Sequence, residues 1–319
     1  MSRVVVVGAG LAGLAAAGAL RDAGHRVVLL DKGRSPGGRM ATRRIGAATV
    51  DHGAQFFTVR TPELASLVDG WLADGLVDVW TRGFTLPADG YPRYAVRGGM
   101  NALAKHLAVG LDVRCPALVF ALRRGTGHAW DVVVDDASVV AADAVVCTAP
   151  VPQSFSVMIT AGVELPRELT SIDYDRTLAL LAVLDAPGAV PEPGAVQDGD
   201  PVFSMIVDNL RKGVSAVPAL TMHANPSWSL AWWDRPHDET LDALAAAAAP
   251  WLGGAGIVER QLKRWRFATP VRTWPESCWV APDAPGPLVL AGDAFAGPRI
   301  EGALCSGWAA ARAVAAALG

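Results

Sequence analysis

The sequence predicts an α/β protein, a Rossmann-type dinucleotide-binding lobe joined to a second α+β lobe built on an antiparallel sheet. Three observations predict it. The chain opens on an apolar strand, a glycine turn and an alanine-rich helix. A second strand follows and ends in an acid, completing the first βαβ unit. Between residues 177 and 267, strand-like runs succeed one another without crossover helices, which is the order of an antiparallel sheet.

Val4 to Gly13 read VVVVGAGLAG. Gly8 suits the tight turn, Gly10 the close approach of backbone to a pyrophosphate, and Gly13 the packing of helix on strand. Ala9, Leu11 and Ala12 fill the turn, and the helix N-terminus behind them offers free amides and partial positive charge to phosphates. Gly24 stops the helix. The strand Arg26 to Leu30 then ends in Asp31, 18 residues beyond Gly13 and suited to a ribose hydroxyl pair, with Lys32 beside it.

Ser35 to Thr42 read SPGGRMAT. The loop from Asp31 is too short for another crossover, so Gly38, Arg39 and Met40 are expected to fold back over the first glycine turn. Arg39 would neutralise the pyrophosphate from the opposite side. A dinucleotide clamped from both sides stays in place between turnovers, which favours FAD over NAD.

Apolar residues make up 51% of the 319 residues and charged residues 18%, so a large core is available. A net charge of −3 with no basic run argues against nucleic acid as a partner. Cys115, Cys147, Cys278 and Cys305 are dispersed, without CxxC, and are expected to be buried free thiols of a cytoplasmic protein. No run reaches the ~18 apolar residues of a membrane span. The apolar N-terminal segment is read as core and not as a signal peptide, because it carries the phosphate turn.

Along the chain, residues 61–95 hold breakers at Pro62, Gly70, Gly75, Gly83, Pro87 and Gly90 and two short helical stretches. A helix is expected over Met100 to Val109, then strands over Asp112 to Leu122, Ala129 to Asp135 and Ala144 to Cys147, the last ending at Thr148. The second lobe is expected to hold strands Thr177 to Leu184, Val202 to Asp208, Ala219 to His223, Trp228 to Trp233 and Gln261 to Phe267. A surface loop over Pro187 to Pro201 and a helix Glu239 to Ala249 capped by Asp238 complete it. Leu288 to Leu290 is a short buried strand whose end carries Gly292-Asp293, and Ile300 to Leu318 is a long helix. The expected domains are 1–60, 96–150 and 276–319 for the dinucleotide lobe, and 61–95 with 151–275 for the substrate lobe.

The run GGRMATRR…DHGAQFFT from Gly37 to Thr58 resembles flavin amine-oxidase-type proteins, and within them the renalase-like branch. VRGGMNAL from Val96, AVVCTAP from Ala144 and LVLAGDAFAGPRIEG from Leu288 extend the resemblance to the end of the chain. It implies FAD as cofactor, held noncovalently, with His52, Gly53, Ala54, Gln55 and Phe56 beside the isoalloxazine ring. It also carries over an adenine contact at Val119, alongside the cofactor role of Thr148. Asp293 is assigned to the ribityl chain. Glu301, Gly302 and Ala303, opening the last helix, would point their positive dipole end at the flavin N1–C2 edge and stabilise the reduced state.

Only one dinucleotide motif follows a strand, since Gly253-Gly254-Ala255-Gly256 comes after a helix. That excludes disulfide reductases with two dinucleotide lobes. The six histidines are dispersed, so no metal site is expected, and no GxSxG elbow supports a serine hydrolase. No residue stands out as a catalytic base. Candidates for the substrate pocket are Phe56, Phe57, Trp228, Trp232 and Arg266, although the eleven tryptophans equally suit a core. Arg264 and Arg266 around Trp265 could form a cationic mouth, and Lys263 is the lysine of that stretch.

The resemblance implies an oxidase that takes hydride from a small substrate onto flavin N5 and passes electrons to dioxygen, forming hydrogen peroxide. A dihydro-NAD(P) isomer is the first substrate reading, because it becomes aromatic on losing hydride and needs no base. A flavin amine oxidase and a porphyrinogen- or carotenoid-type desaturase are the enzyme alternatives. A flavoprotein that binds without turnover is the remaining one.

Overall fold

The computed structural model describes residues 1–84 and 88–319; Pro87, one of the expected breakers, lies outside them. The chain forms two compact units. One comprises Met1–Gly38, Ala104–Tyr174 and Thr269–Gly319, the other Arg39–Leu103 and Asp175–Ala268.

The first unit is organised on a six-stranded sheet. Its order is Trp279–Val280, Leu288–Leu290, Ala144–Cys147, Arg3–Val7, Arg26–Leu30, Asp112–Arg114. All neighbours are parallel except the Trp279–Val280 edge. Helices cover such sheets, so their strands read as unbroken apolar runs, and Val4, Val5, Val6, Val145 and Val146 are essentially inaccessible. The first strand lies between its successor Arg26–Leu30 and the much later Ala144–Cys147. That is a topological switch point, where a crevice opens at the carboxyl ends of the strands. Helices Leu11–Asp22 and Ile300–Leu318 pack closely on each other, and a Cβ on Gly307 would lie 2.2 Å from the Ala12 carbonyl oxygen.

A three-stranded antiparallel sheet of Val119–Arg124, Trp130–Val134 and Val139–Ala142 belongs to the same unit. The strand expected over Asp112 to Leu122 is therefore two, parted at Cys115-Pro116, where proline cannot donate to a ladder. Helix Val151–Thr160 joins this unit because it packs on strand Val119–Arg124, with the Leu122 amide donating to Thr160 Oγ1 at 3.0 Å. That places the boundary near Tyr174, beyond the expected 150. Of the four free cysteines only Cys147 is buried, which pushes its thiol up to about 12. Cys115, Cys278 and Cys305 are half-buried, unlike the expectation for them.

The second unit is organised on a five-stranded sheet, Ala195–Gln197, Phe203–Asp208, Ala219–Ala224, Tyr174–Leu184, Ile257–Pro270. The register is antiparallel wherever these pairs are defined. The first of these strands falls inside the segment expected to be loop. Leu178, Leu180, Phe203, Ile206, Leu220 and Met222 form the core with Leu241 and Leu244. The last two come from helix His237–Ala247, which starts two residues earlier than expected and carries Asp238 in its first turn. The hairpin Thr42–Ile45/Ala48–Asp51 packs Ile45 and Val50 against Leu181 and Ala219. Among the described residues, 61–95 contribute one helix, Pro62–Ala73, and the paired strands Val77–Thr81 and Arg93–Val96 where a second helical stretch was expected.

The expected strand Trp228 to Trp233 is instead helix Pro226–Trp232. Asn225 is its N-cap, accepting from the Trp228 amide at 2.8 Å, and Pro226 fills the first turn, where no backbone donor is needed. Trp228 and Trp232 still share a face, now through the i,i+4 spacing of a helix. Their rings stack 4.9 Å apart against the core.

The contact of Gly307 with Ala12 yields a direct expectation. Gly307→Ala must force the two helices apart, at a cost of about 1–3 kcal/mol. A lowered urea midpoint checks this, and a midpoint equal to wild type would contradict the close approach.

Candidate functional site

In the first unit, the expected cofactor residues gather at the carboxyl edge of the parallel sheet. Gly8 has φ +103, and a Cβ on Gly13 would sit 1.9 Å from the Gly8 carbonyl oxygen, so both positions require glycine. A Cβ on Gly10 meets no protein atom within 4 Å. Gly8 and Gly13 are thus glycines for the fold, whereas Gly10 faces open space at a helix start with no side-chain cap and no acid in its first turn. That space suits a pyrophosphate, and the residues present fit a dinucleotide. Asp31 accepts from the Ala9 amide at 2.6 Å and from the Gly33 amide at 2.6 Å, fixing the turn from the next strand. The Gly37 amide donates to the Ala9 carbonyl at 2.8 Å, and Gly38 lies against Gly10. The Gly37-Gly38 part of the return loop thus lies at the first glycine turn, while Arg39 and Met40 belong to the second unit.

The other first-unit candidates lie on the same edge. Thr148 Oγ1 donates to the Val7 and Gly8 carbonyls at 3.0 and 3.1 Å. The Ala117 amide donates to the Asp31 carbonyl at 2.7 Å, which brings the chain entering Val119 alongside Asp31. Lys32 Nζ is bound to Gln153 Oε1 at 2.9 Å. Gly292, at φ +139, ends strand Leu288–Leu290 and donates its amide to Ser306 Oγ at 2.8 Å. Asp293 and Glu301 are each 8% exposed. A Cβ on Gly302 would press to 2.3 Å from the Gly297 carbonyl oxygen, so the start of the last helix, with Ala303, packs closely on the end of the short helix Asp293–Ala296.

In the second unit, the segment Asp51 to Phe57 is organised by Asp51. Its carboxylate accepts from Thr42 Oγ1 at 2.5 Å, the Met100 amide at 2.8 Å and Lys212 Nζ at 2.8 Å. Its backbone carbonyl accepts from Gln55 Nε2 and Thr221 Oγ1, both at 2.8 Å, and Asn209 Oδ1 accepts from its amide at 3.2 Å. Both charged side chains of the Asp51–Lys212 pair are fully buried. Burial lowers the Lys212 pKa and Asp51 works in the opposite direction. A Cβ on Gly99, at φ +103, would lie 2.5 Å from Thr42 and 3.0 Å from the Asp51 carboxylate, which explains the glycine directly before Met100.

This arrangement changes several expected roles. Gln55 was expected on the flavin or substrate, but its Nε2 donates to the Asp51 and Gly53 carbonyls and holds the turn. The smallness of Gly53 answers to Arg39, whose carbonyl oxygen would lie 1.9 Å from a Cβ there, and the Ala54 amide donates to that carbonyl at 2.8 Å. Arg39 Nη1 donates to the Ala268 carbonyl at 3.0 Å, and Met40 is buried. Phe57 is a core residue, 3% exposed and packed against Trp71 and Tyr94. Phe56 is half-buried against Phe84 and Trp80. Trp228 and Trp232 pack against the core, as their other reading had it. Arg264 donates to the Trp233 and Arg235 carbonyls, so it does not form a mouth, while Arg266 is exposed beside Phe267.

His52 is 6% exposed, stacked on Trp265 at 5.4 Å, and its Nδ1 is buried without a partner among the described residues. Its carbonyl accepts from Trp265 Nε1 at 2.7 Å and His223 Nε2 at 3.1 Å. Burial, reinforced by Lys263, His223 and Arg43, lowers the His52 pKa to about 3. Burial brings His223 to about 4, against the raising effect of its bond to the His52 carbonyl. Lys263 lies over the Trp265 ring at 4.8 Å, and burial followed by Arg43 lowers its pKa. Lys212 and His223 carry this network and were missed. One lysine in an Asp-Asn-Leu-Arg-Lys-Gly turn has no feature in the sequence that marks burial.

Comparison with known proteins agrees with this geometry. Residues 6–71 match the NAD(P)-binding Rossmann-like domain, and residues 77–315 match the family described as flavin containing amine oxidoreductase. A 58-residue stretch, 18% of the chain, is 50% identical to hydroxyneurosporene desaturases of Rubrivivax gelatinosus and Cereibacter sphaeroides. It spans only 11% and 12% of those proteins' lengths. A candidate protoporphyrinogen oxidase from Exiguobacterium sp. 255-15 shares the fold at TM-score 0.77 and 15% identity, over 99% of both chains. Putrescine oxidase with bound putrescine follows at TM-score 0.70 and 17% identity, over 98% of both chains.

Two expectations follow from the second unit. Lys212→Met leaves the Asp51 carboxylate buried without its counter-charge, which should lower unfolding free energy by about 3–5 kcal/mol in urea titrations. An unchanged midpoint would show that the pair does not organise the segment. The two histidines also set a pH dependence. They stay neutral in the folded chain down to about pH 4 and 3, whereas an unfolded histidine protonates near 6.5. Unfolding therefore takes up protons, and stability should fall as pH drops from about 6.5 toward 4. A His52→Asn, His223→Asn double variant should show a shallower fall between pH 7.5 and 5 than wild type, and an equal slope would contradict this.

Proposed function

We propose a hydride-transfer function from one premise, that the chain belongs to the flavin containing amine oxidoreductase family. FAD is its cofactor, and we take it to be held noncovalently, at the carboxyl edge of the parallel sheet. When bound, FAD supplies the acceptor for hydride at its N5 atom. We assign dioxygen as the final electron acceptor, with hydrogen peroxide as product, and a dihydro-NAD(P) isomer as the substrate oxidised to NAD(P)+. The four free cysteines suit a reducing compartment, and we assign the cytoplasm.

One observation carries the substrate reading. The buried ionisable groups of the Asp51–Phe56 segment are engaged or neutral near pH 7: Lys212 is paired with Asp51, and His52 and His223 are uncharged. A dihydronicotinamide needs no base, because loss of hydride restores ring aromaticity. It needs position and an electron acceptor. Arg39, next to Gly37-Gly38 in sequence, is proposed to offset pyrophosphate charge, and Phe56 to form part of the substrate wall.

The amine-oxidase reading has its own supporting observation, the half-buried Lys263 with lowered pKa over Trp265. The two readings differ in which donor reduces the protein. Anaerobic stopped-flow mixing with 2- and 6-dihydro-NAD(P) and a panel of primary amines should show rapid bleaching by the dihydronicotinamides alone. Phe56→Ala should bind FAD but be reduced on the order of 100-fold more slowly, with the wild-type pH profile, because the substrate is misplaced. Rapid bleaching by an amine, lost in Lys263→Met, would overturn the substrate assignment.

A further inference from the structure

The GD turn of the first unit has a neighbour that its motif does not include. Trp274 donates its backbone amide to the Ala294 carbonyl at 2.7 Å, one residue past Asp293. Its indole Nε1 is buried and, among the described residues, has no hydrogen-bond partner. Indole N–H is a donor only, and buried tryptophans ordinarily find an acceptor for it. An unpaired buried donor is costly, so its persistence beside a ligand-binding strand end points to an acceptor that the protein itself does not provide.

The surroundings narrow what that acceptor is. Ala294 follows Gly292-Asp293 at the carboxyl end of strand Leu288–Leu290, the edge that also carries the Gly8–Gly13 turn, Asp31 and Thr148. The turn is fixed from below by the Ser306 hydroxyl, which accepts from the Gly292 amide, and by Gly302 against Gly297. Trp274 itself is anchored by its own backbone, while the preceding chain is pinned by the Val271 amide to the Asp173 carbonyl at 2.9 Å. The main chain at Trp274 is therefore held by bonds that do not involve the indole N–H.

We infer that Trp274 is a cofactor-binding residue whose indole N–H donates to an oxygen of the ribityl–isoalloxazine portion of FAD. The inference rests on the assignment of FAD to this sheet edge and adds a contact to it. Trp274 acts beside Asp293: the acid accepts from ribityl hydroxyls in the assignment above, and the indole donates to an acceptor oxygen. The pair then reads both hydrogen-bonding senses of the same part of the cofactor.

The test is FAD titration of apoprotein from wild type and Trp274→Phe, with apoprotein thermal unfolding measured in parallel. Trp274→Phe keeps the aromatic body and removes the donor. The expected result is FAD affinity lowered on the order of 10-fold, a displaced flavin absorption band, and an apoprotein at least as stable as wild type because an unsatisfied donor has gone. Equal affinity and spectrum in both proteins would show that the N–H meets only water, and the inference fails. A less stable apoprotein with unchanged affinity would show a partner within the protein and fails it too. If wild-type apoprotein itself takes up no FAD, the cofactor placement fails first. Trp274→Leu, equally without a donor, serves should Trp274→Phe not fold.

Discussion

The Asp31 carboxylate ties the ends of two neighbouring strands together, and the carboxyl edge of the first unit's sheet depends on that tie. One oxygen accepts the Ala9 amide from inside the glycine turn and the other accepts the Gly33 amide at the head of the return loop. Its own backbone is held by the Ala117 amide on the carbonyl side and the Arg114 carbonyl on the amide side. A short acid thereby sets the path of three segments. Steric limits then leave the turn little freedom, since a side chain at Gly13 would collide with the Gly8 carbonyl. The amides of the helix start are aligned before any ligand arrives, and such preorganisation lowers the ordering cost of binding.

The second unit solves a similar problem with buried charge. Asp51 and Lys212 are 161 residues apart in sequence, and both are sealed from water. A buried pair is weak evidence for added stability, but breaking one leaves an unmatched charge in a poor dielectric. Around this pair, Thr42, Gln55, Met100, Asn209 and Thr221 satisfy the remaining donors and acceptors. The result is a fixed path for the chain from Asp51 through Phe56. Every link runs through main chain or through groups used up within the network, which explains why Gln55 faces inward.

Features legible in the sequence were those imposed by local geometry. Gly8, Gly10, Gly13 and Asp31 could be read because turn, helix and strand follow within thirty residues. Gly292-Asp293 could be read because a buried strand ends there. Most of what escaped was set by partners far along the chain. Asn225-Pro226 was a helix start that the aromatic run WSLAWW concealed, since tryptophans suit strand and helix alike. Nothing in the turn around Lys212 marks it for burial, because its carboxylate partner lies 161 residues away. Trp274 carried no motif at all, because an unpaired N–H is a property of the folded chain and not of residue order.

Gly10 tests the account most directly, because it separates binding from folding. Its neighbours Gly8 and Gly13 are required by protein atoms, whereas a side chain at Gly10 would enter space bounded by no protein atom within 4 Å. Its backbone, at φ −74 and ψ −178, is open to any residue. The measurement is FAD affinity of Gly10→Val apoprotein alongside its urea unfolding. The account predicts an unfolding midpoint near wild type, lowered at most by the ~1 kcal/mol of a poorer helix cap, with FAD binding weakened by orders of magnitude. A Gly10→Val protein that binds FAD as tightly as wild type would contradict the placement of the cofactor on this edge.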